Sequence, residues 1–339
     1  MVRYGKLWEK FISEENFDLA ERNAGKGKGS RQEVRTFRAD REANLKALRE
    51  KVANGTYRTS ERFWFWINDP KRRRIGKLPY EDLVVHHALL NVLEPIWRKQ
   101  LTRDTYSCLK GRGIHACSKA VERALRYDPK GTKYCLKLDI SKFYPNVNHD
   151  ILKYKIRRKI KDERILAVLF EIIDSSEGLT IGDHISSILS HIYLTDIDHK
   201  IKEVLHVKHY FRYADDMVLL AATKEELWAA LAYIERELKA IGLHVKPNAQ
   251  VFPVEARGID FVGYVFFHNH TKLRKSIKKR MLKKVKLLKK RNASPEEAKM
   301  ELAGHWGWTK HCNSKHLFKS IKHQLGYEIK FKHQTRLAA

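Results

Sequence analysis

Residues 211–222 read FRYADDMVLLAA, an apolar run interrupted by two adjacent aspartates, Asp215 and Asp216. Neighbouring residues of a strand point to opposite faces. A continuous strand would therefore send one carboxylate to each side, and burying an unpaired carboxylate costs on the order of several kcal/mol or shifts its pKa until it is neutral. A tight turn between two strands avoids that cost. Both acids then project from the tip, where a divalent cation can offset their repulsion. Acidic turns are also common as plain hairpin chemistry, so a third carboxylate elsewhere is needed to decide between the two.

The composition narrows the partners. The 339 residues hold 68 Lys and Arg against 40 Asp and Glu, a net charge of +28, with 43% hydrophobic residues. That describes a folded chain with room for two or three packed subdomains and a polyanionic partner, nucleic acid before a membrane surface. No run approaches the roughly 18 apolar residues of a spanning helix, and the N-terminus has no signal-peptide pattern, so a cytoplasmic setting is expected. The charge is concentrated: residues 271–339 carry 20 Lys and Arg against 4 Asp and Glu. Within that tail Ile277, Met281, Val285 and Leu288 recur at helical spacing between lysines, which predicts one packed face and one face for phosphates. Cys108, Cys117, Cys135 and Cys312 lack paired CxxC spacing and read as reduced thiols. His115 with Cys117 and His311 with Cys312 do not make a spaced four-ligand zinc set.

Working outward from the aspartates, the chain alternates helix and strand signals. Residues 1–56 are helical around a basic glycine loop, AGKGKGSRQE, which does not match the GxxxxGK[ST] phosphate loop. YRTSERFWFWINDPKRRRIGKLP reads as a hairpin about a Pro70-centred turn with a charged second strand. Helical spacing resumes over 80–101. TKYCLKLDI alternates with Tyr134, Leu136 and Leu138 on one face and ends at Asp139. Helices follow over 150–173, at Ile185, Ile188, Leu189 and Ile192, and at Leu227, Leu231, Ile234, Leu238 and Ile241. LHVKPNAQVFPV and IDFVGYVFF then read as a short strand pair. The expected fold is α+β, a sheet backed by helices on one face.

Asp139 lies 76 residues before Asp215, so only tertiary folding can join them. Three converging carboxylates with oxygen donors suit two Mg²⁺ ions and phosphoryl transfer, but do not choose between a nuclease and a polymerase.

Five segments in order, LKLDISKFY, GLTIGDHISS, YADD, GLHVK and FVGY, resemble the successive palm motifs of reverse transcriptases. DPKRRRIGKLPYEDLVVHHALLNVLEP and YSCLKGRGIHA look like that family's finger motifs, and GHWGW extends the likeness downstream. The resemblance implies a right-hand polymerase fold: an N-terminal extension and fingers over 1–129, a palm with an antiparallel sheet over 130–265, and a basic helical thumb over 266–339. It implies that Asp139, Asp215 and Asp216 hold two Mg²⁺ ions, with Ile140 contributing beside Asp139. Tyr144 matches the bulky residue beneath the incoming sugar, whose ring would exclude a ribose 2′-hydroxyl. Lys71 and Arg74 fall where the finger hairpin grips the triphosphate, a task suited to charged donors. Lys246 matches a lysine that donates a proton to the leaving pyrophosphate. Phe261, Gly263 and Tyr264 resemble the primer grip.

GLTIGDHISS refines the resemblance. Ile181 precedes Gly182 where many reverse transcriptases have glutamine, and an apolar side chain cannot hydrogen-bond nucleotide or template, so discrimination should loosen. This motif, with the finger and C-terminal segments, is similar to the reverse transcriptases of diversity-generating retroelements, encoded by bacteria, archaea or phages. Those enzymes copy a template-repeat RNA with errors at adenines and work with an accessory variability determinant protein. The implied partners are template RNA, primer, cDNA and deoxynucleoside triphosphates, with no membrane. Two positions depart from the pattern: Ser186 and Ser187 stand where Ser-Gln is common, and Thr180 replaces a proline. Retron, group II intron and antiphage reverse transcriptases are the neighbouring readings, and a nonenzymatic RNA-binding protein on the same scaffold is the different-class one.

Overall fold

A computed structural model describes residues 2–68, 71–329 and 331 of the chain. The N-terminal helices are α1 (Trp8–Ile12), α2 (Glu14–Gly25), α3 (Gln32–Ala39) and α4 (Arg41–Ala53), with the glycine-rich loop falling between α2 and α3 as the sequence suggests. Ser13 begins α2 by accepting the Asn16 amide at 3.2 Å, which satisfies one of the helix's orphan donors. The aromatic and basic segments form the expected ribbon, β1 (Phe63–Ile67) antiparallel to β2 (Arg73–Lys77). The expected Pro70 turn lies outside the described residues.

Then come α5 (Tyr80–Arg98), β3 (Thr105–Tyr106), α6 (Ile114–Tyr127) and β4 (Tyr134–Asp139). The helical stretch expected over 150–173 is two helices, α7 (His149–Arg157) and α8 (Glu163–Asp174), and α9 (His184–Glu203) follows. The aspartate hairpin is β5 (His209–Tyr213) and β6 (Asp216–Ala221), leading into α10 (Lys224–Ala240). The remaining elements are β7 (Gln250–Pro253), α11 (Val254–Arg257), β8 (Ile259–Phe261), β9 (Tyr264–Phe266), β10 (Thr271–Leu273), α12 (Lys275–Lys290), α13 (Pro295–Thr309) and α14 (Lys315–Leu325).

The chain divides into two units. The first comprises Met1–Cys108, Asp139–Leu205 and Ala232–Pro247. Its polar anchor is Glu21, 1% exposed, which accepts from Arg38 Nε at 2.6 Å, Arg41 Nε at 3.0 Å and the Tyr80 hydroxyl at 2.7 Å. Burial works against that charge, but these three donors hold the Glu21 carboxyl below its usual range. One residue so ties α2, α3, the start of α4 and α5 together.

The second unit comprises Leu109–Leu138, His206–Leu231 and Asn248–Ala339. Its strands lie in the order β5-β6-β4-β7, and β8, β9 and β10 form a separate antiparallel sheet with β9 central. Two expectations are corrected here. The segment ending in QVFP does not pair with IDFVGYVFF: β7 pairs with β4, Phe252 opposite Cys135, while IDFVGYVFF folds on itself as β8 and β9. The Val262-Gly263 pair explains this, because both residues take positive φ, 41° and 90°, the requirement of a two-residue primed hairpin turn. The central strands are also covered on both faces rather than one, since β5 buries Tyr210, Phe211 and Arg212 in succession and β6 buries Met217 through Leu220. In the basic tail Met281, Val285 and Leu288 form the buried face of α12, as their spacing predicts, while Ile277 at its first turn is half-buried. Ser294 and Glu297 close a capping box at the start of α13. The four cysteines are free thiols. Among the described residues no helix is long and apolar enough to cross a membrane.

The first unit also buries imidazoles on α5. Both ring nitrogens of His86 are buried without a hydrogen-bond partner among the described residues. Desolvation, with Arg62 and His87 nearby, lowers His86 to about 3, and burial with His184 nearby lowers His87 to about 4. An unfolded histidine binds its proton near 6.5, so the unfolded chain takes up protons first as pH falls. Stability is therefore fully present above pH 6.5 and falls between about 6.5 and 3. His86→Leu is expected to leave the thermal midpoint at pH 7.5 unchanged or higher, since no hydrogen bond is lost, and to flatten its decline toward pH 5 in a pH series of melts.

Candidate active site

The Asp215-Asp216 pair sits where a strand cannot hold it and a turn can. Tyr213 pairs with Asp216 across β5 and β6, leaving Ala214 and Asp215 as a two-residue loop. Ala214 adopts φ 57°, a left-handed conformation that costs a non-glycine residue of order 1–3 kcal/mol and persists only where the surroundings impose it. Arg212 supplies part of that restraint: its guanidinium, fully buried in β5, donates to the Ala214 carbonyl at 3.0 Å. Sequence reading passed over Arg212, although a lone cation inside an apolar strand is itself the signal, because it must be satisfied from within.

Asp216 opens β6, which neighbours β4 in the sheet, and β4 ends at Asp139. The Lys137 ammonium, two residues before Asp139 on β4, stands 3.9 Å from Asp216 Oδ2. Lys137 is a second position missed from sequence, where alternation alone presented it as a solvent-facing residue.

Asp139 is engaged by Lys246 of the GLHVK segment. Lys246 Nζ donates to Asp139 Oδ2 at 2.5 Å, and the Lys246 amide donates to the Asp139 carbonyl at 2.8 Å. Ile140 bridges Val245, and the Ser141 amide donates to the His244 carbonyl at 2.8 Å. GLHVK is thus laid along the chain just after β4, which is how a lysine about 100 positions away reaches this carboxylate. Asp139 Oδ1 is buried and accepts no hydrogen bond among the described residues. A buried carboxylate oxygen left over in an all-oxygen donor set suits a hard divalent cation such as Mg²⁺. Among the described residues no group of three or more His, Cys, Asp or Glu side chains is gathered as a metal site; Lys246 pairs with Asp139 and Lys137 stands beside Asp216.

Tyr144 begins a short 3₁₀ turn, Tyr144–Asn146, and is half-buried. Its hydroxyl lies 3.5 Å from Ser187 Oγ and its carbonyl accepts the Leu179 amide at 2.8 Å. Gly178 takes φ 57°, and a Cβ there would press on the Tyr144 and Pro145 carbonyls at 2.5 Å. The GLTIGD loop is therefore threaded against Tyr144 through a glycine. At its other end the Gly76 amide of β2 donates to the Ile181 carbonyl at 3.2 Å, and a Cβ on Gly182 would meet the Gly76 carbonyl at 2.8 Å. Asp183, almost fully buried, pairs with Arg62 at 3.3 Å, while Arg62 also donates to the Ser175 carbonyl at 3.0 Å. Burial pushes the Asp183 carboxyl up despite Arg62. These contacts seat the β1–β2 ribbon on the loop containing Ile181 and Gly182, and Arg62 and Asp183 are its missed members. Lys71 and Arg74 are exposed on that ribbon, the Arg74 guanidinium resting 4.3 Å over the Trp64 ring.

Phe261, Gly263 and Tyr264 come together at the β8–β9 turn. Phe261 and Tyr264 are fully buried, and the Tyr264 hydroxyl donates to the Trp308 carbonyl at 3.0 Å. Trp308, from GHWGW, lies against the bare Cα of Gly263.

Residues 68–266, more than half of the chain, match the family described as Reverse transcriptase (RNA-dependent DNA polymerase). The chain belongs to the reverse transcriptase family. It is 25% identical to the Retron Ec73 reverse transcriptase of Escherichia coli over 244 residues, 67% of this chain and 75% of that protein. It is 27% identical to Protein YkfC of Escherichia coli K12 over 47% of this chain and 45% of YkfC. It is 23% identical to the Group II intron-encoded protein LtrA of Lactococcus lactis over 50% of this chain and 30% of that one. The chain thus spans less than half of YkfC and under a third of LtrA. Apo telomerase from Candida tropicalis superposes with a TM-score of 0.53 at 14% identity, covering 79% of this chain and 60% of that one. The mixed α+β architecture is the right-hand polymerase fold.

Gly263→Ala tests the turn that carries the Phe261–Tyr264 cluster. Its methyl would run into the Trp308 ring at a backbone φ that suits only glycine, so a stability loss of about 1–3 kcal/mol is expected by denaturant unfolding. Gly304→Ala, where a Cβ meets open space, is the matched control.

Proposed function

We propose that this chain is an RNA-directed DNA polymerase that adds deoxynucleotides to a primer by two-metal nucleotidyl transfer. The observation that carries the proposal is the two-residue Ala214-Asp215 hairpin, which sets Asp216 at the head of the strand beside β4, whose last residue is Asp139. A nuclease would need the carboxylates but not Tyr144 or the basic ribbon. A protein that only binds RNA has no reason to aim acids at an anionic ligand. In this reading residues 1–129 form the N-terminal extension and fingers, 130–265 the palm and 266–339 the thumb.

Asp139, Asp215 and Asp216, with the backbone at Ile140, would hold two Mg²⁺ ions, which when bound would lower the pKa of the primer hydroxyl and stabilise the leaving oxygen. Lys246, held on Asp139, gives its proton to the departing pyrophosphate. Lys71 and Arg74 grip the triphosphate. Tyr144 closes the space a ribose 2′-hydroxyl would need, and Ile181 and Gly182 line the nucleotide without offering it a side-chain hydrogen bond. Phe261, Gly263 and Tyr264 steady the primer.

The finer role is error-prone copying of a template-repeat RNA in a diversity-generating retroelement, in the cytoplasm of a bacterium or archaeon, with an accessory variability determinant protein. It is supported by the Ile181-Gly182 pair and the ordered finger motifs. A retron-like role is the second reading, favoured by the Retron Ec73 enzyme, which the match covers to 75% of its length.

Primer extension on a defined RNA template with Mg²⁺ tests these assignments. Asp215→Ala is expected to abolish extension, and an active Asp215→Ala protein would end the site assignment. Lys246→Ala should slow turnover about a hundredfold or more. cDNA errors concentrated opposite template adenines support the diversifying role, whereas evenly faithful cDNA moves the reading to the retron-like one. Tyr144→Ala is expected to lower selection against ribonucleotides at least about tenfold, read as the ratio of kcat/KM for dNTP over rNTP.

A further inference from the structure

Lys137 is out of place by the ordinary chemistry of strands. It stands in β4 between Leu136 and Leu138, both buried, although lysine is disfavoured in strands. Its side chain is 31% exposed, so the ammonium is only partly solvated and needs partners from the protein. The structure gives it two. Nζ stands 3.9 Å from Asp216 Oδ2 and donates to the Asp260 carbonyl of β8. Asp260 is itself held in place: Arg274 Nε donates to its carboxylate at 2.5 Å, and the Arg274 amide donates to the Gly263 carbonyl at 3.0 Å. Lys137, Asp216, Asp260 and Arg274 all belong to the second unit.

Folding stability does not account for this arrangement, since a part-exposed ion pair at such a separation contributes little. Its consequence is local and electrostatic. The hairpin sets Asp215 beside Asp216 at its tip, and two neighbouring carboxylates without a divalent ion repel one another unless a counter-charge stands near. Lys137 supplies that charge. A divalent ion arriving at Asp216 meets the same ammonium, and like charges a few ångströms apart repel where water screens them only in part. The lysine therefore opposes the metal twice, by stabilising the metal-free acids and by repelling the incoming ion. The Asp260 carbonyl is a second hold for the ammonium, one it can keep when Asp216 turns to metal.

We propose that Lys137 is a positioning residue that serves as the internal counter-ion of Asp216, competes with the divalent cation for that carboxylate, and so sets the metal affinity of the Asp215–Asp216 tip. This rests on the metal-binding role assigned to the aspartates above and adds to it a residue that does not itself touch metal. The protein without nucleotide then holds divalent ions weakly, and an ion must outcompete a resident lysine to settle on Asp216.

Mn²⁺ binding to the full chain without nucleotide or RNA, read from the loss of the free-ion electron paramagnetic resonance signal, tests the proposal without any turnover. Lys137→Met, which keeps most of the stem and removes the charge, is expected to lower the Kd for Mn²⁺ at least about tenfold. Lys137→Gln, which can still donate to the Asp260 carbonyl, should show the same gain and guards against a packing fault in the methionine variant. Lys137→Arg keeps the charge and should stay within about threefold of wild type. The gain should shrink as salt is raised to about 0.5 M, because screening acts on charge, and should vanish when Asp216→Asn is added to Lys137→Met. An unchanged or weaker affinity in both neutral variants overturns the proposal. So does a gain that persists in the Asp216→Asn background, which would mean that Lys137 acts through the charge of the whole chain and not through Asp216. The two readings fail separately. If Mn²⁺ binding is lost with Asp216→Asn yet indifferent to Lys137, the metal assignment stands and the counter-ion falls; if binding in wild type and in Lys137→Met is indifferent to Asp216, both fall.

Discussion

The site depends on one constraint, the pairing of β5 with β6 across a two-residue loop. Strand periodicity sends neighbouring residues to opposite faces, so two adjacent acids inside a buried sheet can be tolerated only where the chain reverses. The loop is short enough that Ala214 must take a left-handed conformation, and Arg212 answers with a hydrogen bond to its carbonyl. Tyr210, Phe211 and Met217 through Leu220 are buried on the sheet's faces, and at the tip Asp215 stands beside Asp216. A longer loop would relieve Ala214 and leave the acids without a defined position.

Elsewhere too, charges are placed by backbone pairing rather than by proximity in the chain. Lys246 reaches Asp139 because residues 244–246 run along the segment after β4. Lys137 reaches Asp216 because β4 and β6 are neighbours. The same economy seats the aromatic ribbon, where Gly76 and Gly182 let two backbones touch and Arg62 with Asp183 closes a buried ion pair beneath them. Buried pairs of this kind add little net stability over apolar packing but are costly to break, so they hold the ribbon in one position. Glu21 does the equivalent for the N-terminal helices.

Much of this was legible from residue types. Helical spacing marked the buried faces of α9, α10 and α12, glycines marked the loops after α2 and before α9, and the order LKLD, GLTIGD, YADD, GLHVK, FVGY carried the family. What spacing could not supply was the partner of each strand. QVFP has the pattern of a strand under either pairing, and only the two positive φ angles at Val262 and Gly263 decide that IDFVGYVFF closes on itself, leaving β7 for β4. Nor could alternation reveal that β5 and β6 are covered on both faces, because what lies over a sheet comes from segments distant in the chain. Arg212, Arg62, Asp183 and Lys137 escaped for that reason: a lone charge in a sequence has no visible partner until the fold provides one.

The sequence by itself determined the chemistry available, three aspartates in a basic chain with a family's motifs in order, because residue identity and spacing are local properties. It also determined the turn at Asp215, since period-two geometry leaves adjacent acids no other place in an apolar run. Only the tertiary structure decided which strand β4 lies beside, which lysine meets which carboxylate, and that FWFW stands exposed instead of buried. Those outcomes depend on contacts between segments scores of residues apart, and the free energy of such contacts is set by packing that no local pattern encodes.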